Sequence, residues 1–436
     1  MVQVYTLLFI MQTRSRSVWR ASATLLSVLA MLPSPIMAET KRAEPKALGE
    51  VLAGNEELST YYSLIKKSPD ILLQLPHSGG VTLIAPSNEA FNKTQSLNLE
   101  DSNLITSLLQ YHILPLSVNV SSLEPGPSYL FPTLLTSSNY TNVTAGQNIL
   151  LSRQHDDTTV VTSGLGTRST FFESPDQDIP FTGGFIQIVD TLLVPPSRLE
   201  ITARDAYKDL TSFLGALYKS GLSPALSSQK DITILAPRNA AFQSIASALD
   251  PLSREDLATV LKYHIIPDKV LSSSDLSALG NSTGSSLATL LGADSRASKV
   301  TVSRAGNNIF FNSAQLLQSD ILLANGVIHI IDNVLNPDEF AEVPDLEAKS
   351  QTPVFQVSKG AETRTGTRVP APFTTWLPCT TDCPEPTVDA NTQRTATTTG
   401  RNGVNSQTSS GMGAQVTALA GILGAVGVGV IGMGVM

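Results

Sequence analysis

The strongest constraint on the fold is a duplication, because the same short segments occur twice, in the same order, within 436 residues. An apolar run followed by Ala-Pro-x-Asn-x-Ala-Phe ends at Phe91 and again at Phe242. A Tyr-His-Ile-x-Pro segment follows each copy, and a Gly-x-Ile-x-Ile-x-Asp segment later ends at Asp190 and at Asp332. A repeat of roughly 150 residues is far longer than a solenoid unit. The sequence therefore predicts two similar domains in tandem, at residues 45–196 and 197–340.

Composition limits the partners and the scaffold. Charged residues make up 15% of the chain and the net charge is −8, with no basic cluster, so nucleic acid is not expected as a partner. Hydrophobic residues make up 42%, enough for packed cores. Two cysteines, Cys379 and Cys383, are too few for a disulfide-rich scaffold, so the domains must be held together by packing.

The start of the chain resembles an export signal. Arg14, Arg16 and Arg20 precede or flank an apolar run at residues 21–32, and a cleavage point follows near residue 38. We therefore predict that residues 1–38 form a signal peptide.

The first domain should open with amphipathic helices, because its apolar residues recur at helical spacing from Leu48 onward. Residues 81–85 form an apolar run bounded by glycine and proline, which predicts a buried strand. Asn88, just after that proline, is expected to cap the next helix with its side-chain oxygen. A further helix is predicted over residues 101–112.

The repeated histidines lie on the apolar stripe of that helix. Ile105, Leu109 and His112 are spaced at i, i+4 and i+7, as are Leu257, Leu261 and His264 in the second copy. We interpret Tyr111, His112, Tyr263 and His264 as core residues. No second histidine or carboxylate occurs at metal-ligand spacing in both copies, so no metal site is predicted.

A third histidine occurs in one copy only. His329 lies in the apolar strand that ends at Asp332, and we interpret it as a core residue; the first domain has Gln187 at this position. A catalytic histidine would not be exchanged for an amide without loss of function. The chain also has no H-E-x-x-H and no phosphate-binding glycine loop. We predict neither enzymatic activity nor a cofactor.

The copies differ in length after a second pair of similar segments, Ala145-Gly146-Gln147-Asn148-Ile149 and Ala305-Gly306-Asn307-Asn308-Ile309. Counted from there to Asp190 and Asp332, the first domain has 18 additional residues, within 154–182. Polar surface insertions are tolerated and often carry specificity. Both a neutral insertion and a binding loop fit the sequence.

N-glycosylation is predicted from five Asn-x-Ser/Thr sites, which fit a secreted glycoprotein. The sites are Asn92, Asn119, Asn139, Asn142 and Asn281.

The chain after the second domain divides into a stalk and a tail. Residues 341–411 are rich in Thr, Ser, Pro and Gly, which predicts a disordered stalk, with a local disulfide between Cys379 and Cys383. Residues 412–436 end in an uncharged apolar run that is typical of a glycosylphosphatidylinositol (GPI) signal. A retained transmembrane helix is the alternative, but it lacks flanking basic residues. The candidate attachment residues are Asn405, Ser409, Ser410 and Gly411.

The repeated segments closely resemble the signatures of fasciclin domains over residues 45–340. The resemblance implies an α+β fold in which a wedge of two short sheets is packed with helices. The first copy departs from the last signature, since Gly183-Gly184 replaces Asn-Gly and Gln187 replaces the histidine. The resemblance also implies extracellular adhesion, and in animal members the region of the Tyr-His motif has been linked to integrin binding.

We therefore expect a non-enzymatic, GPI-anchored adhesion protein on the outer face of the plasma membrane or in the cell wall. Its expected partners are cell-wall glycans or extracellular proteins. A structural glycoprotein of the wall and a vacuolar or secretory-pathway protein are the alternatives.

Overall fold

The computed structural model describes residues 45–378, with gaps at 77, 79, 95–99, 174–176, 282–284, 293–297, 340–342, 349 and 356–370. The predicted signal peptide, both cysteines, the candidate attachment residues and the apolar tail lie outside the described residues. Within the described part, no helix combines the length and the hydropathy needed to cross a membrane.

The first domain contains five α-helices and eight strands among its described residues. The helices are α1 (Leu48–Ala53), α2 (Ser59–Lys67), α3 (Asp70–Leu73), α4 (Asn88–Asn92) and α5 (Ser102–Tyr111). The strands are β1 (Val81–Pro86), β2 (Ile113–Leu114), β3 (Ser128–Pro132), β4 (Asn148–Arg153), β5 (Thr159–Thr162), β6 (Arg168–Thr170), β7 (Ile179–Phe181) and β8 (Gly184–Val189). They form two four-stranded sheets, in the orders β2-β1-β8-β7 and β3-β4-β5-β6.

The second domain has a similar order of helices and strands, but its strands are joined in a single sheet. Its helices are α6 (Leu199–Ile201), α7 (Thr211–Ser220), α8 (Ser223–Ser228), α9 (Asn239–Ser244), α10 (Ala246–Leu249), α11 (Arg254–Lys262) and α12 (Ser273–Gly280). Its strands are β9 (Ile232–Pro237), β10 (Ile265–Ile266), β11 (Ser286–Ala288), β12 (Lys299–Ala305), β13 (Asn308–Phe311), β14 (Ala314–Leu323) and β15 (Gly326–Ile331). They form one continuous sheet in the order β10-β9-β15-β14-β13-β12-β11, because β14 runs through both halves. The prediction of two tandem α+β domains is confirmed.

Each domain has two cores, one on either face of its central parallel strands. In the second domain Ile328 and Ile330 of β15 pack with the helices, whereas Ile331 joins the other core. Strand β1 is buried along its whole length, as predicted for residues 81–85. Alternating side chains of a strand point to opposite faces, so a strand covered on both faces is apolar throughout.

Asn88 caps a helix, but not the one predicted. The N-cap of α4 is Ser87, whose Oγ accepts a hydrogen bond from the Ala90 N–H at 3.1 Å. The Asn88 Oδ1 instead accepts from the Thr60 N–H in the first turn of α2, at 2.9 Å. In the second domain Asn239 does the same for α7, through the Ser212 N–H at 2.8 Å. The repeated asparagine therefore joins two helices that are distant in sequence.

The insertion in the first domain is shorter than the sequence predicts. The Tyr111 hydroxyl donates to the Asn148 carbonyl at 2.9 Å, and the Tyr263 hydroxyl donates to the Lys299 carbonyl at 2.8 Å, which makes Asn148 the counterpart of Lys299. Counted from these residues to Asp190 and Asp332, the first domain has nine additional residues. The predicted count of 18 is wrong, because it matched a loop before β4 with the turn after β12.

Most of these additional residues form the turn between β5 and β6. This turn contains a one-turn 3-10 helix at Gly164–Gly166, which packs against β14 and against the π-helical turn Thr202–Ala206 of the second domain. Gly166 allows a close approach there, since a Cβ at this residue would lie 2.7 Å from the Tyr207 hydroxyl. The additional residues of this turn therefore contribute to the contact between the two domains.

Two segments of the region predicted as a stalk pack against the second domain. The Gln351 N–H donates to Asp332 Oδ2 at 3.1 Å, and Asn333 Nδ2 donates to the Gln351 carbonyl at 3.0 Å. Val354 nearby and Phe373 further on are buried. These apolar residues fall in short stretches without a sustained period, so the sequence did not predict their packing.

Candidate functional site

The two histidines of the Tyr-His segments occupy equivalent buried positions. His112 Nδ1–H donates to the Leu108 carbonyl at 2.8 Å, and its Nε2 accepts from the Leu193 N–H at 3.0 Å. His264 makes the same two bonds, to the Val260 carbonyl at 2.8 Å and from the Leu335 N–H at 2.9 Å. Each histidine thus ties the end of a helix to the chain that follows the last strand.

Burial lowers the pKa of both histidines to about 4, although the hydrogen bond to the preceding turn acts in the opposite direction. Both rings are therefore neutral at physiological pH. Because both ring nitrogens are engaged by the main chain and the side chains are fully buried, neither histidine can exchange a proton with a bound substrate. Their role in this structure is to hold the core together.

The position at which the copies differ also has one structural role in both domains. In the second domain His329 Nε2–H donates to the Leu271 carbonyl at 2.8 Å, and Nδ1 accepts from the Asp320 N–H at 3.3 Å. In the first domain the Asp178 N–H donates to Gln187 Oε1 at 3.2 Å, and Gln187 Nε2 donates back to Asp178 Oδ1. Each side chain thus holds an aspartate nine residues earlier.

Both aspartates are in the left-handed region, with φ of 56° at Asp178 and 61° at Asp320. Their carboxylates bind main-chain N–H groups, at the one-turn 3-10 helix Val120–Ser122 in the first domain and at the first residue of α12 in the second. Asp178 accepts from the Val120 and Ser121 N–H groups at 3.1 and 3.2 Å, and Asp320 accepts from the Ser273 N–H at 2.7 Å. Negative charge is favourable at a helix N-terminus. The strained backbone of each aspartate is held by these bonds.

Sequence reasoning missed both aspartates. They lie outside the repeated segments, and the change from glutamine to histidine draws attention to the partner side chain alone. The signal was nevertheless present, because an aspartate precedes Gln187 and His329 by nine residues in both copies. Gln187 and His329 are therefore alternative solutions to one structural task.

The charged groups in the described part of the chain do not assemble a metal centre: no cluster of three His, Cys, Asp or Glu residues there could hold an ion. The titratable residues of the repeated segments instead form hydrogen bonds within their own domains.

The two domains are joined by a polar seam formed by residues 141–147 of the first domain. Thr141 Oγ1 and the Asn142 N–H both donate to the Ala324 carbonyl, at 3.1 and 2.7 Å. The Thr144 N–H donates to Asp231 Oδ1 at 2.8 Å and its hydroxyl donates to Asp231 Oδ2. Gln147 Nε2 donates to the Leu323 carbonyl at 3.2 Å. Together with the turn at Gly164–Gly166, this seam holds the domains in a defined arrangement.

The predicted glycosylation sites fall into two groups. Four of the five are exposed, namely Asn92, Asn119, Asn139 and Asn281. Asn142 is half-buried in the seam, where its Nδ2 lies 3.5 Å from the Ser227 carbonyl. A glycan on Asn142 would compete with docking of the domains, whereas the other four sites face solvent.

Comparison with known proteins gives one family match in each of the two domains. The fasciclin-domain profile matches residues 56–195 and again residues 208–337. The chain belongs to the fasciclin-domain family. Both family matches lie within the domains seen in the structure, and together they include the paired histidines, the aspartates and the seam.

Fasciclin-domain proteins from fungi are among its relatives. It is 31% identical over 320 residues to a fasciclin-like arabinogalactan protein of Arthroderma benhamiae, an alignment that covers 71% of each chain. A fasciclin-like arabinogalactan protein of Cercospora beticola is 27% identical over 332 residues, which cover 74% of this chain and 83% of that one. Fasciclin-1 of Drosophila melanogaster is 25% identical over 302 residues, covering 64% and 44% of the two chains.

Proposed function

We propose that this fasciclin-domain protein is a non-enzymatic adhesion protein of the cell surface, with cell-wall glycans or extracellular proteins as partners. The observation that carries the proposal is the docked domain pair, in which the repeated polar residues stabilise each domain and residues 141–147 form the seam between the domains. The outer surfaces of the two domains are then available to bind a partner. Two domains held in one arrangement present their surfaces at a fixed spacing, and many anchored copies convert weak contacts into firm attachment.

The chain outside the described residues supports the same location. The apparent signal peptide at residues 1–38 would direct export, and the apolar tail would be exchanged for a GPI anchor near residues 405–411. We further propose N-glycans on the four exposed sites and a disulfide between Cys379 and Cys383 in the oxidising compartment. Four solvent-facing glycans would be compatible with both domains as folded.

Deletion and over-expression of the full chain test the adhesion proposal. We expect deletion to weaken cell–cell or cell–surface attachment and over-expression to strengthen it, because attachment scales with the number of anchored copies. Unchanged attachment in both strains would contradict adhesion. A glycan and protein array probed with the purified full chain would then identify the class of partner.

Anchoring is tested separately with phosphatidylinositol-specific phospholipase. Release of the protein from intact cells is expected. Retention in the membrane fraction, with residues 416–436 found by mass spectrometry, would show that the tail is a retained membrane segment. Retention inside the cell would instead favour the vacuolar or secretory-pathway alternative.

A structural role in the cell wall is the second candidate, favoured by the four exposed glycosylation sites and by relatives that are named arabinogalactan proteins. Enzymatic removal of the N-glycans distinguishes the two. Adhesion through the protein surface should survive deglycosylation, whereas a function carried by the sugars should be lost.

A further inference from the structure

Two consecutive glycosylation sequons lie in the part of the first domain that meets the second domain. They are Asn139-Tyr140-Thr141 and Asn142-Val143-Thr144, and we call residues 139–144 the double sequon. Asn139 is exposed, whereas Asn142 is half-buried in the seam. The two asparagines are three residues apart, so they form a matched pair in which one faces solvent and the other faces the second domain.

The second domain engages the groups that glycosylation of Asn142 requires. The sugar is added to the amide nitrogen of the asparagine, and the sequon also needs the hydroxyl group two residues later. In the docked pair the Asn142 Nδ2 lies 3.5 Å from the Ser227 carbonyl oxygen, and the Thr144 hydroxyl donates to Asp231 Oδ2. A glycan can therefore be added to Asn142 only while the domains are apart.

The order of synthesis gives the glycan the first opportunity. Domains fold from the N-terminal end while the chain is being made. Thr141 precedes its hydrogen-bond acceptor Ala324 by 183 residues, and Thr144 precedes Asp231 by 87 residues. The double sequon is therefore complete before the second domain can dock onto it.

A glycan on Asn142 would keep α8 of the second domain away from the seam. The main chain around this side chain is fixed, because the Asn142 N–H donates to the Ala324 carbonyl at 2.7 Å and the Thr144 N–H donates to Asp231 Oδ1 at 2.8 Å. The segment cannot move to make room for a sugar on Nδ2 without breaking these hydrogen bonds. A glycan on the exposed Asn139 requires no such movement.

We propose that Asn142 is a glycosylation site that controls docking of the two domains. Chains that carry a glycan on Asn142 have separated domains, and chains without it have docked domains, whatever the state of Asn139. The protein then exists in two forms, and only the docked form presents its outer surfaces at a fixed spacing. This proposal rests on the export of the chain proposed above, but not on the adhesion function.

Two full-length variants that each keep one sequon of the pair test the proposal. In both, Asn92, Asn119 and Asn281 are changed to Gln; the first variant adds Asn139→Gln and the second adds Asn142→Gln. Each variant is expressed in a eukaryotic host, and a lectin column separates its glycosylated chains from its unglycosylated chains. The two fractions then have the same sequence and differ only in the glycan.

Hydrogen exchange of the Thr144 amide, followed by mass spectrometry, reports docking in each fraction. In the variant that keeps Asn142, we expect this amide to exchange about tenfold faster in the glycosylated chains, because Asp231 no longer accepts its hydrogen bond. In the variant that keeps Asn139, the amide should exchange as slowly in the glycosylated chains as in the unglycosylated ones.

Slow exchange in chains glycosylated on Asn142 would show that the seam accommodates the glycan, and would overturn the proposal. A glycan found on Asn139 but never on Asn142 would overturn it as well, because the site is then not used. Fast exchange in the glycosylated chains of both variants would contradict the difference between the two asparagines. If neither variant is glycosylated, the export proposed above fails together with this proposal.

Discussion

The two domains share an inner hydrogen-bonded frame and differ in what covers them. Both use a buried histidine in the Tyr-His segment, an asparagine that caps a distant helix and an aspartate held by the residue nine positions later. They differ at the β5–β6 turn, which faces the second domain, and at α7, where Phe373 packs over the buried Gly215 while the equivalent Ser63 of the first domain is exposed. Duplication has thus preserved the parts that build each core, while the changed parts lie at contacts that only one copy makes.

The largest expected effect tests whether the paired histidines are equivalent. His112→Ala and His264→Ala each leave a cavity and an unpaired main-chain N–H, so each should lower the unfolding free energy of its own domain by about 3 kcal/mol. Pulse proteolysis in urea, with fragments assigned to each domain by mass spectrometry, measures the two losses. The exposed His155→Ala is the control. A loss in only one domain would break the equivalence.

The two domains should differ in how steeply they lose stability in acid. Burial lowers the pKa of His112, His264 and His329 in the folded protein, and for His329 the nearby carboxylates Asp320 and Asp275 partly offset this. Unfolded histidine has a pKa of about 6.5, so unfolding takes up protons below that pH and stability falls as the pH falls. Each such histidine contributes a slope of about 1.4 kcal/mol per pH unit between pH 6.5 and its folded pKa.

The first domain has one of these buried histidines among its described residues and the second has two. The second domain should therefore lose stability more steeply below pH 6.5 than the first. His329→Gln should reduce its slope to that of the first domain, as measured by urea unfolding at pH 7, 6 and 5. His155→Gln, at an exposed site, should change neither slope. Identical slopes in the wild-type domains would contradict the assignment.

The helix-capping asparagines should have similar, smaller effects. Asn88→Ala and Asn239→Ala remove the acceptor for the first turn of α2 and of α7, and each should cost about 1 kcal/mol. Asn103→Ala, an exposed asparagine in α5, is the control and should change stability by only a few tenths of a kcal/mol. If hydrogen exchange instead showed loss of protection only in α4 and α9, the asparagines would cap these helices locally, as the sequence predicted.

The seam should show the smallest effect on domain stability. Asp231→Ala removes the acceptor of both Thr144 hydrogen bonds and should weaken docking by about 1 kcal/mol while each domain stays folded. Small-angle scattering should show a broader distribution of sizes, and Asp250→Ala, on the exposed surface, should not. Unchanged scattering for Asp231→Ala would mean that other contacts hold the pair.

Much of the inner frame could be predicted from the sequence, because it follows local periodicity. The spacing of His112 with Ile105 and Leu109 places the histidine on the buried side of α5, and the apolar run at β1 predicts a strand covered on both faces. These rules need no knowledge of distant residues.

The rest depends on contacts between residues far apart in the chain. Asn88 is the first residue of α4, but its side chain accepts a hydrogen bond from Thr60 of α2. The segments at 145–149 and 305–309 look alike because both contain a turn with a left-handed glycine, although they precede different strands. Phe373 lies in a short stretch with Trp376 and Leu377, and such a stretch does not show which distant surface it packs against, so its contact with α7 could not be predicted.

A double exchange tests most directly the claim that Gln187 and His329 are alternative solutions to the same task. Gln187→His combined with His329→Gln moves the acid-sensitive residue from the second domain to the first. Domain-resolved urea unfolding between pH 7 and pH 5 should then show that the first domain, not the second, loses stability more steeply. If the second domain stays the more acid-sensitive one, or if Gln187→His prevents the first domain from folding at pH 7, the equivalence is contradicted.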